Sequence, residues 1–252
     1  MERQTPTTSF EALGHGTASR RPARLGTAVL ATLVETIVSG ELPPESPLPT
    51  ESTLCDAFAV SRTVIRESLK LLEAKGLVRV RQGQGTTVEP TEQWDLLDPL
   101  VLETAIRCAG TFEILDDVID VRVGLESQMT RRAALLMTDA QLRELHDALV
   151  ALEKLLDQPE RYQKADTEYH DLILRGSGNR LGRSIIRSIH PHARASLRYT
   201  GEVSADHLLT SYRAHAAIYE RLVARDPEGA AAEMREHILG SWLARKSGTA
   251  RT

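Results

Sequence analysis

The 252 residues carry a formal net charge of −4, 41% hydrophobic side chains and only 4% aromatics. This length suits two domains, and an aromatic-poor composition favours Leu/Ala-rich helices over β-sandwiches. Such a chain is not a polycation, so any contact with nucleic acid must come from a local basic patch. Residues 1–90 hold ten Lys/Arg and ten Asp/Glu, which places the acidity in the remainder. Cys55 and Cys108 make no CxxC pair and read as small core residues of a reduced, cytoplasmic protein. No run of about 18 apolar residues marks a membrane span, and the N-terminus lacks a hydrophobic signal region.

In chain order, residues 1–22 are rich in Thr, Ser, Gly and Pro and read as a disordered tail. Leu25, Val29, Leu33 and Ile37 recur every four residues and mark a first helix, which Gly40 stops. Pro43, Pro44 and Pro47 form a turn into a second short helix carrying Leu54 and Phe58. Ser61 is an N-cap for a third helix, where Ile65, Leu69 and Leu72 make one apolar face and Arg62, Thr63, Arg66 and Lys70 the opposite one. Gly76 ends that helix at the C′ position. Leu77–Arg81 and Thr86–Val88 then read as a hairpin around Gln82-Gly83-Gln84-Gly85. Residues 60–82 hold six basic and two acidic groups. A compact unit, apolar on one side and Arg-rich on the other, suits the major groove of DNA, where Arg reaches guanine O6 and N7.

The run from Leu48 to Val88 resembles the winged helix-turn-helix of GntR-type bacterial transcription regulators, in the FadR-like branch. Its most specific part is Val60-Ser61-Arg62-Thr63-Val64-Ile65-Arg66-Glu67, followed by Leu72-Glu73-Ala74-Lys75-Gly76-Leu77. The resemblance implies that Thr50, Glu51, Ser61, Arg62, Thr63, Arg66 and Lys70 face DNA. It also implies that the hairpin tip, Gln82 and Gly83, enters the minor groove. The position after Glu51, often Arg in that family, is Ser52.

Residues 91–95 read as a linker and everything beyond as helix: Leu96–Cys108, Phe112–Met137, Asp139–Leu156, Pro159 to about Arg175, Asn179–Tyr199, Ser204–Arg225 and Pro227–Lys246, with a tail at 247–252. In the second of these, Ile114, Val118, Val121, Leu125 and Met129 are expected on one face. Thr138 and Gln141 resemble a capping box, and Asp226 before Pro227 an N-cap. The fold expected is mainly α: a winged helix-turn-helix over residues 23–90 and an all-α bundle of six or seven helices over 96–246.

Asp166 and His170 are four residues apart and share a helical face with Tyr162, Tyr169 and Ile173. His215 lies in the stripe Leu208, Tyr212, His215, Tyr219, Leu222. His237 lies in the stripe Ala230, Met234, His237, Ile238, Ser241. One divalent cation would satisfy all four groups, and zinc suits imidazole-rich sites, with nickel or manganese as alternatives. Two other readings stay open at this point. Each histidine could be a hydrogen-bonded core residue, and Asp166 with His170 could be an i,i+4 ion pair.

Residues 96–246 resemble the FCD-type effector domain that follows the FadR-like winged helix. The linker Trp94–Pro99 resembles that of the subgroup including the galactonate-responsive regulator. The resemblance implies Asp166, His170, His215 and His237 as metal ligands, and Arg122 and Asn179 as effector-facing residues. His192 and Ser211 are added as pocket candidates, and an ion pair of Arg122 with Glu126 is the alternative for Arg122. The function implied is a ligand-responsive repressor, not an enzyme. It would act as a homodimer on a palindromic operator and be released by a small carboxylate, such as a sugar acid or hydroxycarboxylate, bound at the metal. A metal-free regulator of acyl or amino-acid effectors and a metal-dependent hydrolase are the competing readings.

Overall fold

The computed structural model describes residues 20–81, 83, 85–196 and 205–249. Among them are α1 (Arg20–Val38), α2 (Glu51–Phe58), α3 (Arg62–Ala74), β1 (Val78–Arg81), β2 (Gly85–Val88), α4 (Pro99–Cys108), α5 (Glu113–Leu136), α6 (Asp139–Glu153), α7 (Pro159–Gly176), α8 (Arg180–Ala195), α9 (Ala205–Val223) and α10 (Pro227–Thr249). No helix among the described residues is long and apolar enough to cross a membrane.

The first unit is built by caps and one small core. Thr50 and Ser61 cap α2 and α3 by accepting from the backbone N–H of Thr53 and Val64, which satisfies donors that a helix start otherwise leaves exposed. Ile65, Leu69 and Leu72 bury against Val29, Leu33, Val34 and Ile37 of α1. Gly76, at φ +70°, closes α3, and a Cβ there would stand 2.1 Å from the Gln93 carbonyl oxygen. Only glycine meets both demands. β1 and β2 pair antiparallel from Val78↔Val88 to Arg81↔Gly85, and Pro47 bridges to Thr87 at the outer edge.

The segment expected as a linker is tied down. A 3₁₀ turn spans Thr91–Gln93. The Trp94 indole donates to the Glu89 carbonyl at 3.1 Å, and the Asp95 N–H donates to the Lys75 carbonyl at 3.0 Å. The next helix starts at Pro99 rather than Leu96, because a residue preceding proline disfavours the helical region. Asp98 caps it, accepting from Leu100 and Val101, and forms an ion pair with Lys75 at the end of α3. α4 thus serves both cores: Val101 packs with the first unit, Leu102 and Ile106 with the second.

Helices α5 to α10 pack into a bundle whose central partners are α5, α7, α9 and α10. Two expectations need correction here. The buried face of α5 is Leu115, Val118, Ile119, Arg122, Glu126, Met129 and Ala133, whereas Val121 is 42% exposed. The inward face is rotated because it includes a buried ion pair, which apolar periodicity cannot register. The tail assigned to 247–252 begins later, since α10 runs to Thr249. Its last turns are docked on α5 by Trp242 and Lys246, which donate to Asp116 at 2.7 and 2.9 Å.

Candidate functional site

The first candidate surface is α3 with the hairpin. Arg62, Thr63, Arg66 and Lys70 are all exposed along α3. Arg66 is 61% exposed, and its Nε donates to Glu51 at 2.9 Å, which fixes the guanidinium's direction before any partner arrives. Lys70 pairs with Glu67 at 2.8 Å. Thr50 and Ser61 act as N-caps, and Glu51 orients Arg66. Gly83 lies in the turn at the hairpin tip with φ +77°; Gln82 lies outside the described residues. Arg66→Ala is expected to weaken specific DNA binding by about 1–3 kcal/mol, the worth of a bidentate base contact. A salt-matched titration in which the variant binds its selected DNA as tightly as wild type removes Arg66 from the groove.

The second candidate is inside the bundle. Asp166 and His170 come from α7, His215 from α9 and His237 from α10, and one ligand atom from each lies within 4.8 Å of all the others. His170 Nε2 stands 3.2 Å from both His215 Nε2 and His237 Nε2. His215 Nε2 is 3.4 Å from an Asp166 oxygen. Atoms about 2.0–2.1 Å from one zinc ion stand roughly 3.0–3.4 Å apart in octahedral or tetrahedral arrangement, so these spacings fit a single ion. The hydrogen-bonding logic agrees. His170 Nδ1 faces Glu126 at 2.8 Å, and donating there leaves Nε2 with one lone pair, which cannot accept from two other imidazoles at once.

His215 is held from behind by two tyrosines. The Tyr162 hydroxyl stands 3.4 Å from His215 Nδ1, and the Tyr169 hydroxyl donates to the His215 carbonyl at 2.9 Å. Burial pushes the His215 imidazole down to about 3, against the opposing pull of Asp166. Burial likewise holds His237 and His190 well below the ordinary histidine range. Neutral imidazoles are what a metal ion needs, because a protonated ring has no lone pair to offer. Burial alone would raise the Asp166 and Glu126 carboxyls. The guanidiniums of Arg194 and Arg122, together with the nearby histidines, outweigh it and hold both well below the usual carboxylate range.

The carboxylates are matched one to one. Arg122 Nε is 2.6 Å from Glu126, and Arg194 is 3.0 Å from the second Asp166 oxygen. A cavity of about 20 Å³ is lined by three of the candidate ligands, Asp166, His170 and His237, together with Arg122, Arg194, Arg245, His190, Ser211 and Ser241. It adjoins two larger grooves. One of about 1010 Å³ runs between α7 and α8 and shares His170, His190 and Arg194 with it. The other, of about 420 Å³ between α9 and α10, shares Ser211, His237 and Ser241.

Of the effector-facing candidates, Arg122 and Ser211 reach this cavity. Asn179 and His192 are not brought there. Asn179 caps α8 by accepting from the Gly182 N–H at 3.0 Å. His192 points to Glu103 of α4 at 3.8 Å. It is His190, two residues earlier and so on the opposite side of α8, that lines the cavity. Arg194 and Arg245 carried no sequence signal, and His190 could have been separated from His192 only by the phase of α8.

The comparisons with known proteins agree with this architecture. The family model described as "Bacterial regulatory proteins, gntR family" matches residues 25–88, and the FCD domain model matches residues 117–240. The galactonate operon transcriptional repressor of Escherichia coli (strain K12) is 30% identical over 205 residues, covering 81% of this chain and 89% of that one. The HTH-type transcriptional regulator LutR of Bacillus subtilis (strain 168) is 29% identical over 206 residues, covering 80% and 92%. Among solved structures, Lar of Listeria monocytogenes superposes with a TM-score of 0.57 at 20% identity, covering 90% of this chain and 97% of that one. These relatives are named as transcription regulators rather than enzymes. The chain therefore belongs to the GntR family of bacterial transcription regulators, with a winged helix-turn-helix that binds DNA followed by an FCD effector domain.

Proposed function

We propose that this regulator is a metal-dependent repressor released from DNA by a small carboxylate, and that it acts as a homodimer on a palindromic operator. The observation that carries the reading is the charge balance of the buried site. Asp166 and Glu126 are each neutralised by their own arginine, and burial holds His215 and His237 neutral. A divalent cation on Asp166, His170, His215 and His237 would therefore leave the cavity with net positive charge. An anion is the complementary ligand in such a low-dielectric site. A carboxylate with an adjacent hydroxyl could reach the ion and a guanidinium together. The relative named as a galactonate operon repressor supports a sugar acid or another hydroxycarboxylate. Zinc is the first choice of ion, with nickel and manganese compatible with the same donors.

The proposed dimer follows from function: two recognition helices on two half-sites mirror a two-fold operator. The effector need only prefer one spacing of those helices over another to shift the equilibrium away from DNA.

A thermal-shift panel of sugar acids and hydroxycarboxylates tests the effector class. Ligands that bind only the folded protein stabilise it by about 2.7 kcal/mol at a hundredfold excess over Kd. The reading expects stabilisation by at least one such acid in zinc-loaded protein and none after chelation. Stabilisation that survives chelation unchanged would overturn the metal's part in it.

A further inference from the structure

Glu126 belongs to neither the four candidate ligands nor the effector-facing residues, yet it is fully buried between them. One of its oxygens lies 2.6 Å from Arg122 Nε and the other 2.8 Å from His170 Nδ1. Glu126 is on the same inward face of α5 as Arg122, one turn on, while His170 comes from α7. The carboxylate thus crosses between two helices and touches a ring nitrogen on the side away from the ligand cluster.

We infer that Glu126 is a positioning residue of the metal centre: it accepts a hydrogen bond from the His170 Nδ1–H and so presents the Nε2 lone pair to the ion, while Arg122 holds the carboxylate in place. The inference rests on the metal reading proposed above. An imidazole can carry its proton on either nitrogen, and only the Nδ1-protonated form can ligate through Nε2. A carboxylate behind the ring fixes that tautomer, fixes the ring plane and raises the basicity of the coordinating nitrogen. Arg122 then has a part in the site before any effector arrives, since it sets the orientation of the group that orients His170.

The test measures zinc affinity by competition with a chromophoric chelator in wild type, Glu126→Gln and the double variant Arg122→Met/Glu126→Leu. The double variant removes both buried charges together, which is often tolerated where removing one is not. It therefore remains informative if Glu126→Gln folds poorly. Both variants are expected to bind zinc about 10–100-fold more weakly than wild type, the usual effect of losing the group behind a metal-ligating histidine. In the metal-free state, nitrogen NMR should show His170 protonated at Nδ1 in wild type and as a mixture of tautomers in the double variant. A purely structural role would leave that tautomer unchanged. Wild type that binds no zinc would bring down the metal reading itself. Wild type that binds zinc, with a folded double variant that binds it equally and keeps the Nδ1 tautomer, would overturn the role of Glu126 alone.

Discussion

His215→Ala combined with His237→Ala is expected to abolish stoichiometric metal binding and to lower the melting temperature on the order of 10 °C. The two rings supply half of the four candidate ligands and come from different helices, α9 and α10, so the ion would tie both to α7. An ion held at a thousandfold excess over its Kd contributes about 4 kcal/mol of stability. For a domain of this size each kcal/mol moves the midpoint roughly 2–4 °C. The alanines also leave space in the core, so the informative comparison is with chelated wild type. Zinc added back should restore the wild-type midpoint and leave the variant's unmoved. A variant that recovers on zinc addition as wild type does would show that the histidines are ordinary core residues.

Arg122→Ala should cost about 3–5 kcal/mol, because it strands a buried carboxylate that was matched by a guanidinium. Arg122 and Glu126 are both buried, with side-chain exposures of 7% and 0%, so water cannot replace the missing partner. The effector-facing role expected from the sequence and the ion pair offered as its alternative are compatible in this geometry, since Arg122 lines the cavity while its Nε is engaged with Glu126. Equilibrium urea unfolding reads the loss. A variant within 1 kcal/mol of wild type, on the order of an exposed pair's worth, would mean that Glu126 does not depend on Arg122 for its charge balance.

What the sequence disclosed and what it withheld divide along a physical line. Caps and turns are local chemistry: Ser61, Thr138, Asp226 and Gly76 each satisfy or free backbone within a few residues, and all four sit at helix ends as their types demand. Asp166 with His170 is also a local signal, one turn of one helix. His215 and His237 were legible because polar residues stood out in otherwise apolar stripes. The inward phase of α5 was not legible, because counting apolar residues places Val121 inside, whereas the buried pair of Arg122 and Glu126 turns a different face inward. Arg194 was missed for a different reason. Its partner Asp166 is on another helix, and nothing in the spacing along the chain links the two. His190 and His192 flank one proline, and only the rotation of α8 decides that the first faces the cavity and the second faces α4.

The linkage between ion, effector and DNA is tested most directly on one complex. DNA selected from a random-sequence pool by the full chain, labelled and bound to the zinc-loaded protein, is titrated with the acid that gives the largest thermal shift, and anisotropy reports release. The expected result is release at effector concentrations that leave chelator-treated protein still bound, with zinc restoring the response. Release at the same effector concentration with and without the metal, or a complex that no hydroxycarboxylate dissociates, would contradict it.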